Sequence, residues 1–380
     1  MSEETFSPND HPHRRLNPLT NEYILVSPHR IKRPWLGQVE KPQISDLPEY
    51  DPACYLCPGN ARIGGEKNPD YQQTFTFAND FAAVLPGPIP QPPPPVHPLL
   101  ATVSVEGGCD VIIFDRRHDL TLAQLPAEKI TGIIDEWISI YRKRGSQEGI
   151  NYIQIFENKG AMMGCSNPHP HGQTWSLSSI PTLPARELEN MKAYKDKDVP
   201  ASDAPKLADG KPCMLCDYAH VEATLQDEAN RVVYKNEHFL AVVPWWATWP
   251  FEILLLPYKR HISSIDELSG DEKTAFADAL SIVTKRYDNL FSCSFAYSMG
   301  MHQRPIPLSA VKPGEDAHDY AHLHLHFSPP LLRSATVRKF LVGFELMAEA
   351  QRDLTAEQAA ARLRGCSDVH YLETLAKESA

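Results

Sequence analysis

The chain has 380 residues, of which 42% are hydrophobic and 22% charged, and its formal net charge is -11. This composition is typical of a globular protein with a substantial core, and the length suits two domains or one large fold made of two halves. The negative charge argues against a nucleic-acid partner, because such binding depends on Lys and Arg. No apolar run approaches the roughly 20 residues that span a bilayer and the first residues lack a signal-peptide pattern, so we expect a soluble cytoplasmic enzyme without a membrane partner.

The eight cysteines are too sparse for a disulfide framework, but four of them form two C-x-x-C pairs, Cys54/Cys57 and Cys213/Cys216. In a reducing compartment such pairs more often bind metal than form a bridge. For the first pair we therefore favour metal over a disulfide or redox role.

The order of motifs in the first half recurs in the second half. Each half has a Cys pair, an apolar run leading to a histidine, a helical stretch and then an H-x-H segment: Cys54/Cys57, Val111 to Phe114, His118 and His169/His171, then Cys213/Cys216, Phe251 to Leu256, His261 and His324/His326. The two Cys pairs are separated by close to half the chain. This pattern indicates a duplicated supersecondary unit.

Helices and strands are predicted at corresponding places in both halves. Apolar residues at helical spacing follow Pro126 and Ser269, and the second series begins with a possible capping box that includes Glu272. Short segments rich in Val, Ile, Leu and aromatic residues predict strands over Tyr152 to Phe156, Phe239 to Val243 and Phe251 to Leu256. Each half is therefore predicted to be an α+β unit.

We place the domain boundaries at residues 1–190 for the first half, 191–211 for a linker and 212–380 for the second half. The charged stretch from Lys192 to Lys211 predicts the linker, and the proline-rich stretch from Pro86 to Pro98 predicts a surface loop.

The segment N-P-H-P-H-G-Q from Asn167 to Gln173 carries the strongest candidates for chemistry. In a strand, His169, His171 and Gln173 share one face, and the prolines suggest a sheet edge because they cannot donate to the ladder. A neutral imidazole can attack a phosphoryl group and form a covalent intermediate. The amide of Gln173 can donate hydrogen bonds to a phosphate but cannot lose a proton, which suits the expulsion of a sugar phosphate that is already a stable anion.

Several motifs in order along both halves carry a family resemblance. They are E-N-K-G from Glu157, G-C-S-N-P-H-P-H-G-Q from Gly164, V-S-P-H-R from Val26, N-P-D-Y from Asn68, Y-S-M-G from Tyr297 and P-P-L-L-R-S-A-T-V-R-K-F from Pro329. In these motifs the chain resembles the galactose-1-phosphate uridylyltransferase family of the histidine triad superfamily. The resemblance implies two histidine-triad-like halves, each a mostly antiparallel sheet with packed helices.

The resemblance also implies an activity. His171 would take the uridylyl group from UDP-glucose, release glucose 1-phosphate and pass the group to galactose 1-phosphate, with Gln173 as the second catalytic residue. Substrate contacts would come from Arg30, Asn79, Asp80, Asn158, Gly164, Cys165, Ser166 and Gln173. The family forms homodimers with a shared site, and the second subunit would contribute Arg33, Lys339, Phe340, Glu345 and Gln351. Phe344, also assigned to substrate binding, stands where the family often has Tyr and so lacks a hydroxyl.

Two metal sites are expected. Cys54, Cys57, His118 and His169 form a Cys2His2 set suited to tetrahedral zinc, and all four match the family's zinc ligands. By resemblance, a second metal, iron or zinc, maps onto Glu187, His302, His324 and His326, although Glu187 could be an ordinary helix-face charge. The internal repeat offers a rival zinc set of Cys213, Cys216, His261 and His324. Both sets need His324, and we favour the Glu/His set.

Two other functions remain open at this point. A nucleotide phosphorylase or hydrolase of the same superfamily would share the nucleophile and fold but pass the nucleotide to phosphate or water. A non-catalytic, zinc-stabilised binding module would use the Cys and His residues for stability alone.

Overall fold

A computed structural model describes residues 5–32, 47–306 and 317–378 of the chain. The strands of this part are β1 (His13–Asn17), β2 (Glu22–Val26), β3 (Phe75–Ala78), β4 (Gly107–Ile113), β5 (Tyr152–Lys159), β6 (His171–Leu177), β7 (Val232–Lys235), β8 (Phe239–Val242), β9 (Ile253–Pro257), β10 (Tyr297–His302), β11 (His324–Ser328), β12 (Leu331–Ser334), β13 (Val337–Arg338) and β14 (Gln351–Arg352). The α-helices are α1 (Ala127–Gly145), α2 (Thr182–Lys195), α3 (Met214–Thr224), α4 (Gly270–Phe291), α5 (Phe344–Met347), α6 (Ala356–Arg364) and α7 (Tyr371–Glu378).

One nine-stranded sheet runs through both halves in the order β3-β4-β6-β5-β10-β11-β9-β8-β7. The halves join where β5 pairs antiparallel with β10, with Lys159 opposite Tyr297. Outward from this junction, β5-β6-β4-β3 corresponds to β10-β11-β9-β8, so the strand order itself repeats. The predicted α+β class is confirmed, as is the predicted duplication.

The two long helices, α1 and α4, pack against each other and against the sheet. α1 begins directly after Pro126, and α4 begins with the capping box formed by Ser269 and Glu272, as the sequence predicts. Their apolar faces are buried in the main hydrophobic core, where Trp137 contacts Phe276 with ring centroids 6.5 Å apart. Burial of these aromatic side chains is a large source of stability.

The connection between the halves is packed rather than extended. Its first residues complete α2, and Ala204 and Leu207 then enter a second core cluster with Leu240 and Leu254. The proline-rich stretch from Pro86 to Pro98 is mostly exposed and has no strand, as predicted. In a smaller sheet, β14 pairs in parallel with β2 and brings Gln351 beside Leu25.

Within the three described ranges, every helix is too short or too polar to cross a membrane.

Candidate active site and metal clusters

His171 is the first residue of β6, which lies inside the sheet between β4 and β5. The expected sheet edge is therefore wrong. Pro168 and Pro170 both precede the strand, so their missing N–H groups cost no ladder hydrogen bond. The Pro170 carbonyl still accepts from the Phe114 N–H at 3.0 Å, which fixes the entry to β6.

The ring of His171 is held in one tautomer by the backbone. Its Nδ1 lies 2.7 Å from the carbonyl oxygen of His169. Because a carbonyl only accepts, Nδ1 must carry the proton, and the lone pair is then on Nε2. Burial lowers the pKa of His171, against a smaller opposite effect of that carbonyl, and so favours the neutral imidazole. His171 and Gln173 are both half-buried on the same face of β6, as the strand period predicts.

A cavity of about 370 Å³ opens beside His171 at the end of β5. Its lining includes Asn158, Cys165, Ser166 and His171, all of which the sequence predicts as site residues. The Ser298 hydroxyl donates to Oδ1 of Asn158 at 2.7 Å, so the amide nitrogen of Asn158 remains available as a donor. An uncharged donor such as the Asn158 amide can bind a phosphate group while the neighbouring half-buried imidazole of His171 attacks its phosphorus.

The first candidate metal cluster brings Cys54, Cys57, His118 and His169 together, with their ligand atoms within 4.8 Å of one another. Cys57 Sγ is 3.6 Å from His118 Nδ1 and 3.4 Å from His169 Nδ1. Tetrahedral zinc with sulfur and nitrogen ligands needs edges of roughly 3.5 Å, so these distances fit. Nε2 of His169 faces the Asp115 carbonyl at 2.9 Å, which leaves the Nδ1 lone pair for a metal.

Two further groups orient Cys54 in this cluster. Leu56 N–H donates to Cys54 Sγ at 3.3 Å, and the Asn167 amide nitrogen lies 3.5 Å from the same sulfur. The Asn167 oxygen accepts from His169 N–H at 2.9 Å. Asn167 therefore links a candidate ligand sulfur to the backbone that precedes His171.

The second candidate cluster surrounds Glu187 on α2, which is only 3% exposed. His302 Nδ1 lies 2.7 Å from this carboxylate, His324 Nε2 3.4 Å and His326 Nε2 3.6 Å. Burial alone would raise the pKa of Glu187, but the neighbouring imidazoles hold it well below its usual range. A buried carboxylate facing three imidazoles is no ordinary helix-face charge, and its donors suit iron or zinc.

The rival set of the second half also forms, but with a different fourth residue. Cys213, Cys216 and His261 converge on His322 rather than on His324. His324 faces Glu187 instead. The expectation that the two sets compete for one histidine is therefore wrong, since His322 precedes β11 and lies with the cysteines.

Comparison with known proteins decides the family. The family model for the galactose-1-phosphate uridyl transferase N-terminal domain matches residues 4–181, and the model for the C-terminal domain of the same family matches residues 187–375. The chain belongs to the galactose-1-phosphate uridylyltransferase family.

Relatives named galactose-1-phosphate uridylyltransferase match over nearly their whole length. The protein of Cryptococcus neoformans is 50% identical over 94% of this chain and 90% of its own. That of Haemophilus influenzae is 48% identical over 97% of this chain and 98% of its own. That of Saccharomyces cerevisiae is 45% identical over 99% of this chain and 100% of its own.

Solved structures of related proteins share the fold. A structure titled as uridylyltransferase matches with a TM-score of 0.66 and 28% identity, over 93% of this chain and 98% of the other. An ADP-glucose phosphorylase from Arabidopsis thaliana matches with a TM-score of 0.69 and 23% identity, over 94% of this chain and 99% of the other. At that identity the second match shows the fold alone.

Other residues that the family resemblance assigns to the substrate are not among the described residues that line this cavity. Asp80 follows β3 and its carboxylate is 3.8 Å from Arg62 Nε, and Asn79 caps the turn beside it by accepting from Phe81 N–H. Gly164 adjoins the lining residue Cys165, and its left-handed φ of 78° permits the turn there. Gln173 lies two residues beyond His171 on β6.

The residues expected to come from a second subunit lie elsewhere on the chain, together with the predicted substrate contacts Arg30 and Phe344. Lys339 donates to the Gln351 carbonyl and lies 3.9 Å from Glu345. Burial lowers the pKa of Lys339 to about 8, and the charge of Arg30 adds a smaller effect in the same direction. Phe340 and Phe344 are exposed beside them. None of these six residues lines the cavity within the described ranges, and Arg33 lies outside the described residues.

Sequence reasoning missed a buried polar network next to Asn158, formed around Glu157 and Lys159, which also border the cavity. Lys159 Nζ forms an ion pair with Asp288 at 2.8 Å, and the Tyr297 hydroxyl donates to Glu157 at 2.9 Å. Burial raises the pKa of Glu157 to about 7. The E-N-K-G motif was the available signal, since strand alternation puts Glu157 and Lys159 on the face opposite Asn158. Their partners on α4 and β10 are far away in sequence.

Proposed function

We propose that the chain transfers the uridylyl group of UDP-glucose to galactose 1-phosphate through a covalent uridylyl-His171 intermediate. The observation that carries this proposal is that His171 lines the cavity while its Nδ1–H donates a hydrogen bond to the His169 carbonyl, which leaves the lone pair on Nε2. Family membership and the shared name of the full-length relatives support the substrates.

The chemistry needs two displacements at one phosphorus. The Nε2 lone pair of His171 forms a bond to the α-phosphorus of UDP-glucose, and the bond from that phosphorus to the oxygen of glucose 1-phosphate breaks. Glucose 1-phosphate leaves as an anion, so no acid has to protonate it. A phosphate oxygen of galactose 1-phosphate then attacks the same phosphorus and displaces Nε2, giving UDP-galactose.

The surroundings of His171 fit these steps. While Nε2 carries the uridylyl group the ring is cationic, and the His169 carbonyl at 2.7 Å stabilises that charge through the Nδ1 proton. Gln173 and Asn158 are proposed to donate to the phosphate oxygens. Their amides cannot titrate, so they bind the phosphate without competing for a proton.

We also propose a resident zinc at Cys54, Cys57, His118 and His169 and a second ion, iron or zinc, at Glu187, His302, His324 and His326. The first donor set fits tetrahedral zinc, and the buried Nε2 of His326 has no hydrogen-bond partner among the described residues. When bound, the zinc would supply structural stabilisation, because a closed four-ligand site has no open position. His169 would then be fixed two residues before the nucleophile.

We further propose a homodimer whose active site is shared between subunits. The support is a run of exposed apolar side chains beside Lys339, namely Phe340, Val342, Phe344, Leu346 and Met347. Apolar patches of this kind mark association surfaces. Sedimentation should give a dimer mass for the parent and a monomer mass for Phe344→Glu. The control Val369→Glu changes an exposed apolar residue outside the patch and should remain dimeric; a dimeric Phe344→Glu would contradict this surface.

A cytoplasmic location is proposed as well. All eight cysteines are free, which suits a reducing compartment. Cell fractionation would test it, and recovery from a secreted or membrane fraction would overturn it.

Incubation with UDP-glucose alone tests the proposed activity. We expect release of about one equivalent of glucose 1-phosphate per active site, after which release stops until galactose 1-phosphate is added. Continuous release in buffer would indicate a hydrolase, and turnover with inorganic phosphate would indicate a phosphorylase. No release at all would favour a non-catalytic module. His171→Gly, with unchanged far-UV circular dichroism, is the control and should release none.

A further inference from the structure

Cys213, Cys216, His261 and His322 form a third cluster, separate from the two metal sites proposed above. Their candidate ligand atoms lie within 4.8 Å of one another. Both cysteines and His322 are buried, and none of the four belongs to either of the other clusters. Cys213 immediately precedes α3 and Cys216 lies in its first turn, while His261 follows β9 and His322 precedes β11.

The geometry of this cluster repeats that of the N-terminal cluster. The imidazoles of His261 and His322 have ring centroids 5.5 Å apart at 71°, and those of His118 and His169 are 5.3 Å apart at 75°. In both clusters the histidines come from the segment after a central strand and the segment before its neighbour. The duplicated fold thus places two cysteines and two histidines at equivalent points of each half.

Hydrogen bonds direct both histidine lone pairs toward the cysteines. His261 Nε2 lies 2.9 Å from the Asp319 carbonyl, and His322 Nδ1 lies 2.9 Å from the Leu323 carbonyl. These nitrogens must carry the protons, because a carbonyl only accepts. The lone pairs are left on His261 Nδ1, which is 4.0 Å from Cys216 Sγ, and on His322 Nε2. This Nε2 is buried and has no hydrogen-bond partner among the described residues.

We propose that this cluster binds a structural zinc ion, a third metal site of the chain. Two thiolates would balance the charge of Zn²⁺ in a buried site, and the two neutral imidazoles would complete a tetrahedral set. A C-x-x-C pair at the start of a helix can also be a redox couple, but a redox couple does not require two converging imidazoles. Both thiols would release their protons to solvent on metal binding, and the four side chains would hold the ion between them.

The site ties the start of α3 to the sheet beside β9 and β11. It also holds the residue that orients a ligand of the Glu187 cluster, because the His322 carbonyl lies 2.7 Å from His324 Nδ1. The His169 carbonyl holds His171 in the same way and at the same distance. The zinc is therefore placed to position His324, as the N-terminal zinc is placed to position His171.

Cobalt substitution tests the site through its thiolate ligands, independently of catalysis and of the Glu187 cluster. The parent loaded with Co²⁺ should show thiolate-to-cobalt charge transfer from two Cys2His2 sites. Cys213→Ser combined with Cys216→Ser should reduce that band to about half, since two of four ligand thiolates are lost. The zinc-loaded variant should contain one zinc per chain less than the parent. The control Cys109→Ser with Cys293→Ser changes two buried cysteines outside the clusters and should keep the full band and metal content.

An unchanged cobalt band and zinc content in the double variant would overturn the third site. If that variant does not fold, crystals of the parent protein can be used to locate the metal instead. Anomalous diffraction at the zinc edge should show a peak between Cys213, Cys216, His261 and His322. A peak at the N-terminal cluster with none here, or a disulfide between Cys213 and Cys216, would equally overturn the site. None of these results depends on whether UDP-glucose is turned over.

Discussion

Gly172 lies between the proposed nucleophile and Gln173, and its replacement by alanine tests how tightly this part of β6 is packed. A Cβ added at Gly172 would come within 3.0 Å of Phe114 Cζ, 3.1 Å of Phe114 Cε1 and 3.1 Å of the Phe156 carbonyl oxygen. Ordinary contact begins at 3.4 Å, so the neighbours must move by a few tenths of an ångström.

Neither neighbour can move easily. Phe114 is 1% exposed and packs edge-on against Trp137 in the main core. The Phe156 carbonyl belongs to β5, and Phe156 is paired with Gln173 in the sheet. We therefore expect Gly172→Ala to lower the free energy of unfolding by about 1–3 kcal/mol, the usual cost of overpacking a core. The displacement also reaches His171 and Gln173, and the rate of uridylylation should fall by roughly tenfold, because catalysis depends on sub-ångström positioning.

The assay compares urea unfolding and single-turnover release of glucose 1-phosphate for the parent, Gly172→Ala and Gly132→Ala. Gly132 lies within α1 and an added Cβ there meets nothing within 4 Å. Gly132→Ala should therefore stabilise the chain by about 0.5–1 kcal/mol through helix propensity and leave the rate unchanged. If Gly172→Ala unfolded and reacted like the parent, the packing described around His171 would be refuted.

Three other predictions concern the site and its support. Lys159→Met should cost about 3 kcal/mol of unfolding free energy, because the buried Asp288 carboxylate loses its Lys159 partner and keeps the His370 ring at 3.1 Å and the Phe295 N–H at 2.8 Å. Adding Asp288→Asn should recover most of the loss in a double-mutant cycle; a single variant as stable as the parent would contradict this. Because burial raises the pKa of Glu157 from 4.5 to about 7, its contribution to stability is present below pH 4.5 and is lost as the pH rises through 7. Glu157→Gln should therefore gain stability relative to the parent between pH 5 and pH 8 in thermal melts, to the extent of about 1 kcal/mol or more, and a constant difference would rule the shift out. Gln173→Arg should slow uridylyl transfer at least tenfold in stopped-flow assays, because a bulky cation replaces a neutral donor, whereas equal rates would remove Gln173 from the mechanism.

The local parts of this fold could be predicted because their signals are local. The helical spacing after Pro126 and the capping box at Ser269 place α1 and α4 correctly. The order of Cys and His motifs also predicts the duplication, because the same motifs recur in the same order in both halves. That both halves would share one continuous sheet through β5 and β10 could not be seen, because strand pairing between halves leaves no pattern within either segment.

In the candidate site, too, local sequence patterns predict only part of the arrangement. Alternation along a strand places His171 and Gln173 on one face. Applied to the segment H-L-H-L-H-F from His322, the same alternation would also group His322 with His324. In the structure His322 lies before the first residue of β11 and joins Cys213 and Cys216, while His324 faces Glu187. Strand periodicity fails there because it applies only within the strand. The same reason explains why Pro168 and Pro170 do not mark a sheet edge.

The most direct test of the central claim is to locate the uridylyl group on the chain. The parent is mixed with UDP-glucose, quenched at neutral to alkaline pH and digested, and the peptides are sequenced by mass spectrometry. We expect a uridylyl adduct on Nε2 of His171 that disappears when galactose 1-phosphate is added before the quench. An adduct on another residue, or transfer to galactose 1-phosphate by His171→Gly at the parent's rate, would contradict it.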